Sequence, residues 1–520
     1  MWKKLKNWWQ KKPKSDKFYL VSLFIIVILA FGLRAYNLKD SQQFLGDQGR
    51  DALIVARIFK QHDPVFIGPV TSVGNMYLGP LYYYWMLPWL MLTYPSPMGP
   101  IWAMVILGTL AVALTYFLGK EMVGQKAALL ASLILALMPA AVLLSRFSWN
   151  PNPAPLVSLV MIWATFRAVK KSKKYWILVV GAFSILVQLH YVTLLTLPTA
   201  GLIWLWQLYG DFKLKNKKTR QKEVLDSFKY AGLGILIFLI SIIPLVLFDF
   251  KHDFLNAKAF MGILGEKGFD DTQVHGALKL WRALKETHGR SMHILYEVII
   301  GKNRQLNTFL LIVLTGWFAY LIKFKSLFKR RPGFGVVLVY LLIGIVGLSF
   351  YTQSVFDHYI AYLYPVAALT LGLALTEVLR LQKVVGVILI AGFITLESLF
   401  LARINPWTSA GLTLDEVSET ADLIAQEMKD KDRYNLVLLD EAKDLYGMKY
   451  RYFLDSLDLP VVAPEYADKT HYLVIIDERI DRSKNPFSLN IYELRLFKST
   501  DIINHLIGPD GQDIWVLKRN

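Results

Sequence analysis

Apolar runs long enough to cross a membrane begin near residues 18, 100, 127, 154, 175, 192, 230, 307, 334, 359 and 384. The hydrocarbon core of a bilayer is about 30 Å thick, which takes roughly 20 residues of helix. In lipid every backbone polar group must be satisfied within the segment, so runs of this kind are helices. Of the 520 residues, 54% are hydrophobic and only 19% charged, with a mean hydropathy of +0.38. A soluble chain of this size carries more charge and no such repetition. The reading is an all-α polytopic membrane protein with about eleven transmembrane helices.

Charge sets the topology. The net charge of +18 is not spread along the chain but sits in short clusters: the N-terminus, Lys120/Lys126, Arg167 to Lys174, Lys213 to Lys229, Lys323 to Arg331, and Arg380/Lys383. That is the pattern of cytoplasmic loops facing anionic headgroups, not of a nucleic-acid-binding surface. A further apolar stretch, YLGPLYYYWMLPWLMLTY at 77–94, is interrupted by Pro80 and Pro88. If it does not cross, every basic cluster falls on the side of the N-terminus; if it does, all but the first fall opposite. The positive-inside rule selects the first arrangement and makes 77–94 a re-entrant or juxtamembrane helix in the first external loop. The N-terminus is then cytoplasmic and the C-terminus extracytoplasmic. The start, MWKKLKNWWQKKPK, precedes an apolar stretch too long for a signal-peptide core and reads as a retained anchor. The chain has no cysteine, which excludes disulfides, thiol catalysis and thiolate metal sites.

Three regions follow: a basic cytoplasmic N-terminus (1–17), a transmembrane region (18–403) whose first external loop is 39–99, and a C-terminal part (404–520). In the last, TLDEVSETADLIAQEMKD has helical apolar spacing behind a Thr413/Glu416 capping box. YNLVLLD (434–440) and HYLVIID (471–477) read as short buried strands. This is a small extracytoplasmic α/β domain with no nucleotide fingerprint or metal motif, its role either acceptor binding or scaffolding.

The residues that point to chemistry lie at the external helix ends. GDQGRD sets Asp47, Arg50 and Asp51 at i, i+3 and i+4, on one face of a helix. A carboxylate at the membrane mouth must be hydrated, paired or used. The alternative is that Asp47 caps a helix from Gln48 to Gln61 while Arg50 and Asp51 form a structural pair. Tyr82, Tyr83 and Tyr84 suit either membrane anchoring or stacking on a sugar. SRFSWNPNPAP (145–155) holds Arg146, Trp149 and Asn150 in a rigid external segment. Lys251, His252, His190 and His358 stand at external ends of three different helices, where cations can converge on an anion at headgroup depth such as a lipid phosphate. His190 and His358 with Asp47 are the alternative set for a divalent metal, although no H-E-x-x-H or His-x-His spacing is present; no metal site is assigned.

GDQGRD, YLGPLYYY, SRFSWNPNP, FDFKHDF and DHYIAYLYP together resemble the GT-C fold glycosyltransferases. Within them, residues 18–403 look like bacterial members of the protein O-mannosyltransferase and lipid A aminoarabinose transferase group, glycosyltransferase family 39. The resemblance implies a sugar delivered by a polyprenyl phosphate and an acceptor hydroxyl, on a protein, lipid or glycan, that attacks C1 with inversion. It also implies Asp47 as the base, while Gln48 stands where the mannosyltransferases carry Glu. Arg50 and Asp51 would support Asp47, and Arg146, Lys251, His252 and His358 would face the donor phosphate. Tyr82, Tyr83, Tyr84, Trp149, Asn150 and His190 would line the substrate groove. Two other classes share the gross pattern: a membrane transporter or lipid flippase, and a ligase or polymerase taking pyrophosphate-linked glycans. Transporters place ionisable residues at mid-membrane, whereas here they gather at external ends.

Overall fold

The computed structural model describes residues 13–71, 76–264, 304–351, 355–409, 411–440, 444, 446–483, 485–498 and 501–519, with parts of 281–294. The sequence pattern also places external segments at 249–305, beginning FDFKHDF, and at 351–360, YTQSVFDHYI; much of the first and residues 352–354 of the second lie outside the described residues. Contacts divide the chain into two units, 1–36 with 65–82 and 102–406, and 37–64 with 83–101 and 407–520.

In chain order the helices are α1 (Lys14–Ala35), α2 (Gly46–Lys60), α3 (Leu81–Thr93), α4 (Met98–Val123), α5 (Gln125–Leu137), α6 (Pro139–Leu144), α7 (Ala154–Lys170), α8 (Tyr175–Leu189), α9 (Thr196–Phe212), α10 (Lys217–Ser241), α11 (Ile243–Lys251), α12 (Leu255–Leu264), α13 (Arg304–Lys325), α14 (Phe334–Ser349), α15 (Tyr364–Leu381), α16 (Lys383–Ile404), α17 (Leu414–Met428), α18 (Met448–Ser456) and α19 (Tyr492–Phe497). Every apolar run read from the sequence is helical. Among the described residues, seven segments are long and apolar enough to cross a membrane: α1, α4, Tyr191–Phe212, α10, Thr308–Lys325, Ala361–Leu381 and α16. α5, α8 and α14 are shorter apolar helices. Proline explains the length of α5, because the chain leaves helical geometry at Met138 and restarts with Pro139 at the head of α6.

In the first unit α5 packs along α15 through small residues. A Cβ on Gly372 would stand 2.5 Å from the Ala127 carbonyl oxygen and 2.8 Å from the Ala131 nitrogen. Such close backbone approach is how helices associate where lipid removes the hydrophobic drive. Arg34, buried near the end of α1, donates to Ser145 Oγ and to the carbonyls of Ala30, Leu135 and Ala136 at 3.1–3.2 Å.

Phe31 near the end of α1 stacks on Trp102 near the start of α4 at 6.4 Å. At the opposite end, Gln125 donates to Asp16 at 3.3 Å. The chain between α1 and α4 therefore starts and finishes at one level. α3, with 13 residues and a length of about 20 Å, is too short to cross alone. The basic connections gather at the Asp16 end. There Arg331 lies against Gly124 and Arg167 pairs with Glu121. Glu377 holds Arg330 and Arg380 at 2.9 and 2.8 Å.

The second unit is built on a four-stranded sheet, β1 (Tyr434–Leu439), β2 (Tyr472–Asp477), β3 (Asp501–Ile507) and β4 (Asp513–Lys518), in the order β1-β2-β4-β3. β1 and β2 are parallel, and β4 runs antiparallel to both β2 and β3. Val437, Leu439, Leu473, Ile475, Phe497 and Leu517 pack together in its core. α17 begins at the expected box, with Glu416 N–H donating to Thr413 Oγ1 and Thr413 N–H donating to Glu416 Oε2. Residues 37–45 are joined to this domain: Gln43 bridges Thr413, Asn37 donates to the Trp407 carbonyl at 2.9 Å, and Lys39 pairs with Asp415 at 2.9 Å.

Candidate active site

In the second unit, α2 starts at Gly46, and Leu45 is its extended N-cap. Asp47 is therefore not the cap, and the helix does not run from Gln48 to Gln61. The capping role falls to Gln48, whose Oε1 accepts from Leu45 N–H at 3.0 Å. This reach from the third helical position back to the cap satisfies a backbone donor that the helix cannot. Asp47 is left in the first turn, where the positive end of the helix dipole favours a carboxylate.

Arg50 ties the face together as the spacing implies. Its Nη1 donates to Asp47 Oδ1 at 2.7 Å, and its Nε and Nη2 donate to Asp51 Oδ1 at 2.9 and 2.8 Å. Tyr83 adds its hydroxyl to the same oxygen at 3.1 Å. The two carboxylates differ in access. Asp47 is 52% exposed and Asp51 is 1% exposed. Burial pushes Asp51 up to about 6, against the pull of the Arg50 charge. Its Oδ2 is buried without a hydrogen-bond partner among the described residues. Burial also opposes the Arg50 charge, but Asp51 and Asp47 outweigh it and raise Arg50 above the ordinary guanidinium value. The arrangement is one reachable carboxylate, one cation that fixes it, and one buried anchor.

Close to this turn stands a residue the sequence did not single out. Asp444 Oδ2 would touch a Cβ on Gly46 at 2.1 Å. Burial, then Asp440 and, among smaller causes, Asp47 push Asp444 up to about 6, with Lys449 opposing. Nothing in the local sequence flags it, because 441–445 has neither periodicity nor a motif.

The first unit gathers a second group. His358 lies 4.3 Å from the Trp149 ring, 5.7 Å from His190 and stacked on Phe356 at 5.8 Å, and His190 lies 4.6 Å from Tyr359. Burial and the facing His358 hold His190 well below its ordinary pKa, so its ring is neutral. Asn150 donates to the Leu189 carbonyl at 2.6 Å, fastening the WNPNP segment beside the end of α8. Arg146 is buried and directs Nη1 at the carbonyls of Arg34 and Tyr36, at 2.8 and 2.9 Å, closing the end of α1. Burial lowers it to about 10, which leaves it charged at neutral pH.

Lys251 and His252 close α11 and are exposed, and His252 stacks on Phe248 at 4.0 Å. Tyr82 is fully buried with its hydroxyl 2.8 Å from Ser148 Oγ, and Tyr84 is exposed. A polar network absent from the sequence reading links Tyr77, Tyr191, Asn256 and Asp249. Tyr191 donates to the Tyr77 carbonyl at 2.6 Å, and Asp249 accepts from the amides of Asn256 and Ala257 at the head of α12. Among the described residues no three His, Asp or Glu side chains come together to hold a metal ion.

With this geometry in hand, comparison with known proteins places the chain. Residues 79–248 match the family model described as dolichyl-phosphate-mannose-protein mannosyltransferase. No curated protein sequence matches. The fold is similar to that of ArnT from Cupriavidus metallidurans bound to undecaprenyl phosphate, with a TM-score of 0.57 at 12% identity over 97% of this chain and 98% of that one. It is also similar to the archaeal oligosaccharyltransferase AglB from Archaeoglobus fulgidus, in complex with an inhibitory peptide and a dolichol-phosphate. Here the TM-score is 0.51 at 12% identity over 89% and 69% of the two chains. Multiple apolar helices, a small C-terminal sheet domain and these structural likenesses show a multi-pass membrane protein of GT-C fold, and over residues 79–248 the chain is also similar to the mannosyltransferase family.

Proposed function

We propose that the protein transfers a sugar from a polyprenyl-phosphate donor to an acceptor hydroxyl at the extracytoplasmic face of the cell membrane, with inversion at C1. The observation that carries this reading is the asymmetry of the GDQGRD face: Asp47 is exposed and oriented by Arg50, while Asp51 is buried. An exposed carboxylate in a fixed direction is what a general base for a hydroxyl requires, a contribution of roughly 10²–10⁴-fold. The acceptor proton goes to Asp47, the hydroxyl oxygen bonds to C1, and the C1–O bond to the phosphate breaks with its electron pair leaving on the lipid phosphate.

The structural neighbours support the donor class, since ArnT is bound to undecaprenyl phosphate and AglB to a dolichol-phosphate. A phosphate leaves more readily when its charge is screened by fixed cations. Arg146, Lys251, His252 and His358 are the proposed partners of that phosphate. Tyr82, Tyr83, Tyr84, Trp149, Asn150 and His190 are the proposed groove; within it Trp149 and His358 would form a stacking wall, and buried Tyr82 and Tyr83 would act from behind the surface. The gathering of basic connections at one end of the first unit supports a cytoplasmic N-terminus and an extracytoplasmic C-terminal domain. Incubating the protein with undecaprenyl-phosphate-linked and undecaprenyl-pyrophosphate-linked sugars tests the donor. Mass spectrometry is expected to find released undecaprenyl phosphate, and release of the pyrophosphate alone would contradict the assignment.

A further inference from the structure

The carboxyl ends of parallel strands are where open α/β sheets hold their ligands. In this domain the ends of β1 and β2 carry Asp440, Asp444, Asp477 and Glu478, with Lys449 paired to Glu478 at 2.7 Å. What packs against this crest is the first turn of α2. Gly46 meets the Asp444 carboxylate. One turn along, a Cβ on Gly49 would stand 2.5 Å from both the nitrogen and the Cα of Lys449 and 2.6 Å from the Met448 carbonyl carbon. At that point α2 touches α18 backbone to backbone, with no side chain to absorb a shift. Further along, Arg57 of α2 pairs with Asp455 of α18 and Lys60 with Asp458 just past the end of α18, each at 3.3 Å. The helix carrying Asp47 is thus held at two places, and the tighter one lies within its first turn.

We propose that the Asp444 carboxylate and the Met448–Lys449 backbone of the C-terminal domain are positioning elements for the base: they seat Gly46 and Gly49 and so fix where Asp47 points. The inference rests on Asp47 being the base. It gives the C-terminal domain a part in the reaction. A displacement of about 1 Å in a reacting group can cost on the order of 10²-fold in rate, so a seat without slack has kinetic consequences.

The test uses the full-length protein in nanodiscs, with a panel of undecaprenyl-phosphate-linked hexoses and pentoses and envelope extract as the source of acceptor. Gly49→Ala inserts one methyl group into the seat, and Asp444→Asn removes the charge at constant shape. Both are expected to lower kcat, Gly49→Ala by about 10²-fold and Asp444→Asn by about 10-fold. Donor KM and binding of undecaprenyl phosphate alone should stay at wild-type values, while the melting temperature of Gly49→Ala falls because its methyl group overpacks the contact, so kcat is read on the protein that remains folded. If Gly49→Ala does not fold, Asp444→Asn decides. Wild-type turnover in both variants while Asp47→Asn is inactive overturns the seat alone. So does a loss that follows donor affinity instead of kcat. Wild-type turnover in Asp47→Asn overturns the base, and the seat with it.

Discussion

Arg50 donates to Asp47 Oδ1 at 2.7 Å while its other nitrogens grip Asp51, so the direction of the exposed carboxylate is set by the buried one. The fork geometry of a guanidinium makes this double contact, and an ammonium cannot reproduce it. Arg50→Lys should therefore keep the charge but lose the orientation. We expect kcat to fall at least 10-fold with donor KM little changed, as measured by steady-state transfer assays. A change confined to KM would place Arg50 on the donor instead.

Asp51 couples the site to pH. Its folded pKa of about 6 stands above the ordinary 3.8, so the folded chain holds the proton more tightly than the unfolded one. Its contribution to stability is full below about pH 4 and is lost as pH rises through 6. Each unit of displacement is worth about 1.4 kcal/mol. Asp444, also displaced to about 6, adds a slope of the same sign. Thermal unfolding between pH 4 and 7 should show Asp51→Asn with a visibly shallower loss of stability than wild type. An unchanged slope would contradict the assignment.

The ring wall of the first unit should act on donor binding. Trp149 and His358 stand 4.3 Å apart, centroid to centroid, and an aromatic pair of this kind is worth about 0.5–1.5 kcal/mol beyond its buried area. Trp149→Ala is expected to raise donor KM roughly 3- to 10-fold with a smaller effect on kcat, read from donor titrations. Unaltered KM would remove the wall from the groove.

The α5–α15 contact predicts a stability effect far from any chemistry. Gly372→Leu would drive a side chain into the Ala127 carbonyl and the Ala131 backbone. Overpacking of this sort costs typically about 1–3 kcal/mol. The melting temperature in detergent should drop, while kcat of the protein that remains folded is preserved.

The legible parts of this molecule were those encoded locally. Apolar runs announce helices because lipid leaves the backbone no alternative, and Thr413/Glu416 announces α17 because a capping box closes over three residues. Strands β1 and β2 were readable as short, predominantly apolar segments. β3 was not, since most of its residues are exposed and its sequence, DIINHLI, does not alternate apolar with polar. The face of Asp47, Arg50 and Asp51 followed from helical spacing, but which acid is buried did not, because that depends on what packs on α2. Its partner is α18, and 398 residues separate Arg57 from Asp455. Glycines that permit backbone contact carry no signature of what they touch, so Gly49 and Asp444 emerged only in three dimensions.

The most direct test of the account is the transfer rate of Asp47→Asn in purified protein supplied with undecaprenyl-phosphate-linked sugar. Asparagine keeps the shape and a hydrogen-bond acceptor for Arg50 but cannot take a proton. A fall in kcat of roughly 10²–10⁴-fold, with undecaprenyl phosphate binding intact, is the predicted result. Transfer at the wild-type rate would contradict the assignment of Asp47 as the base.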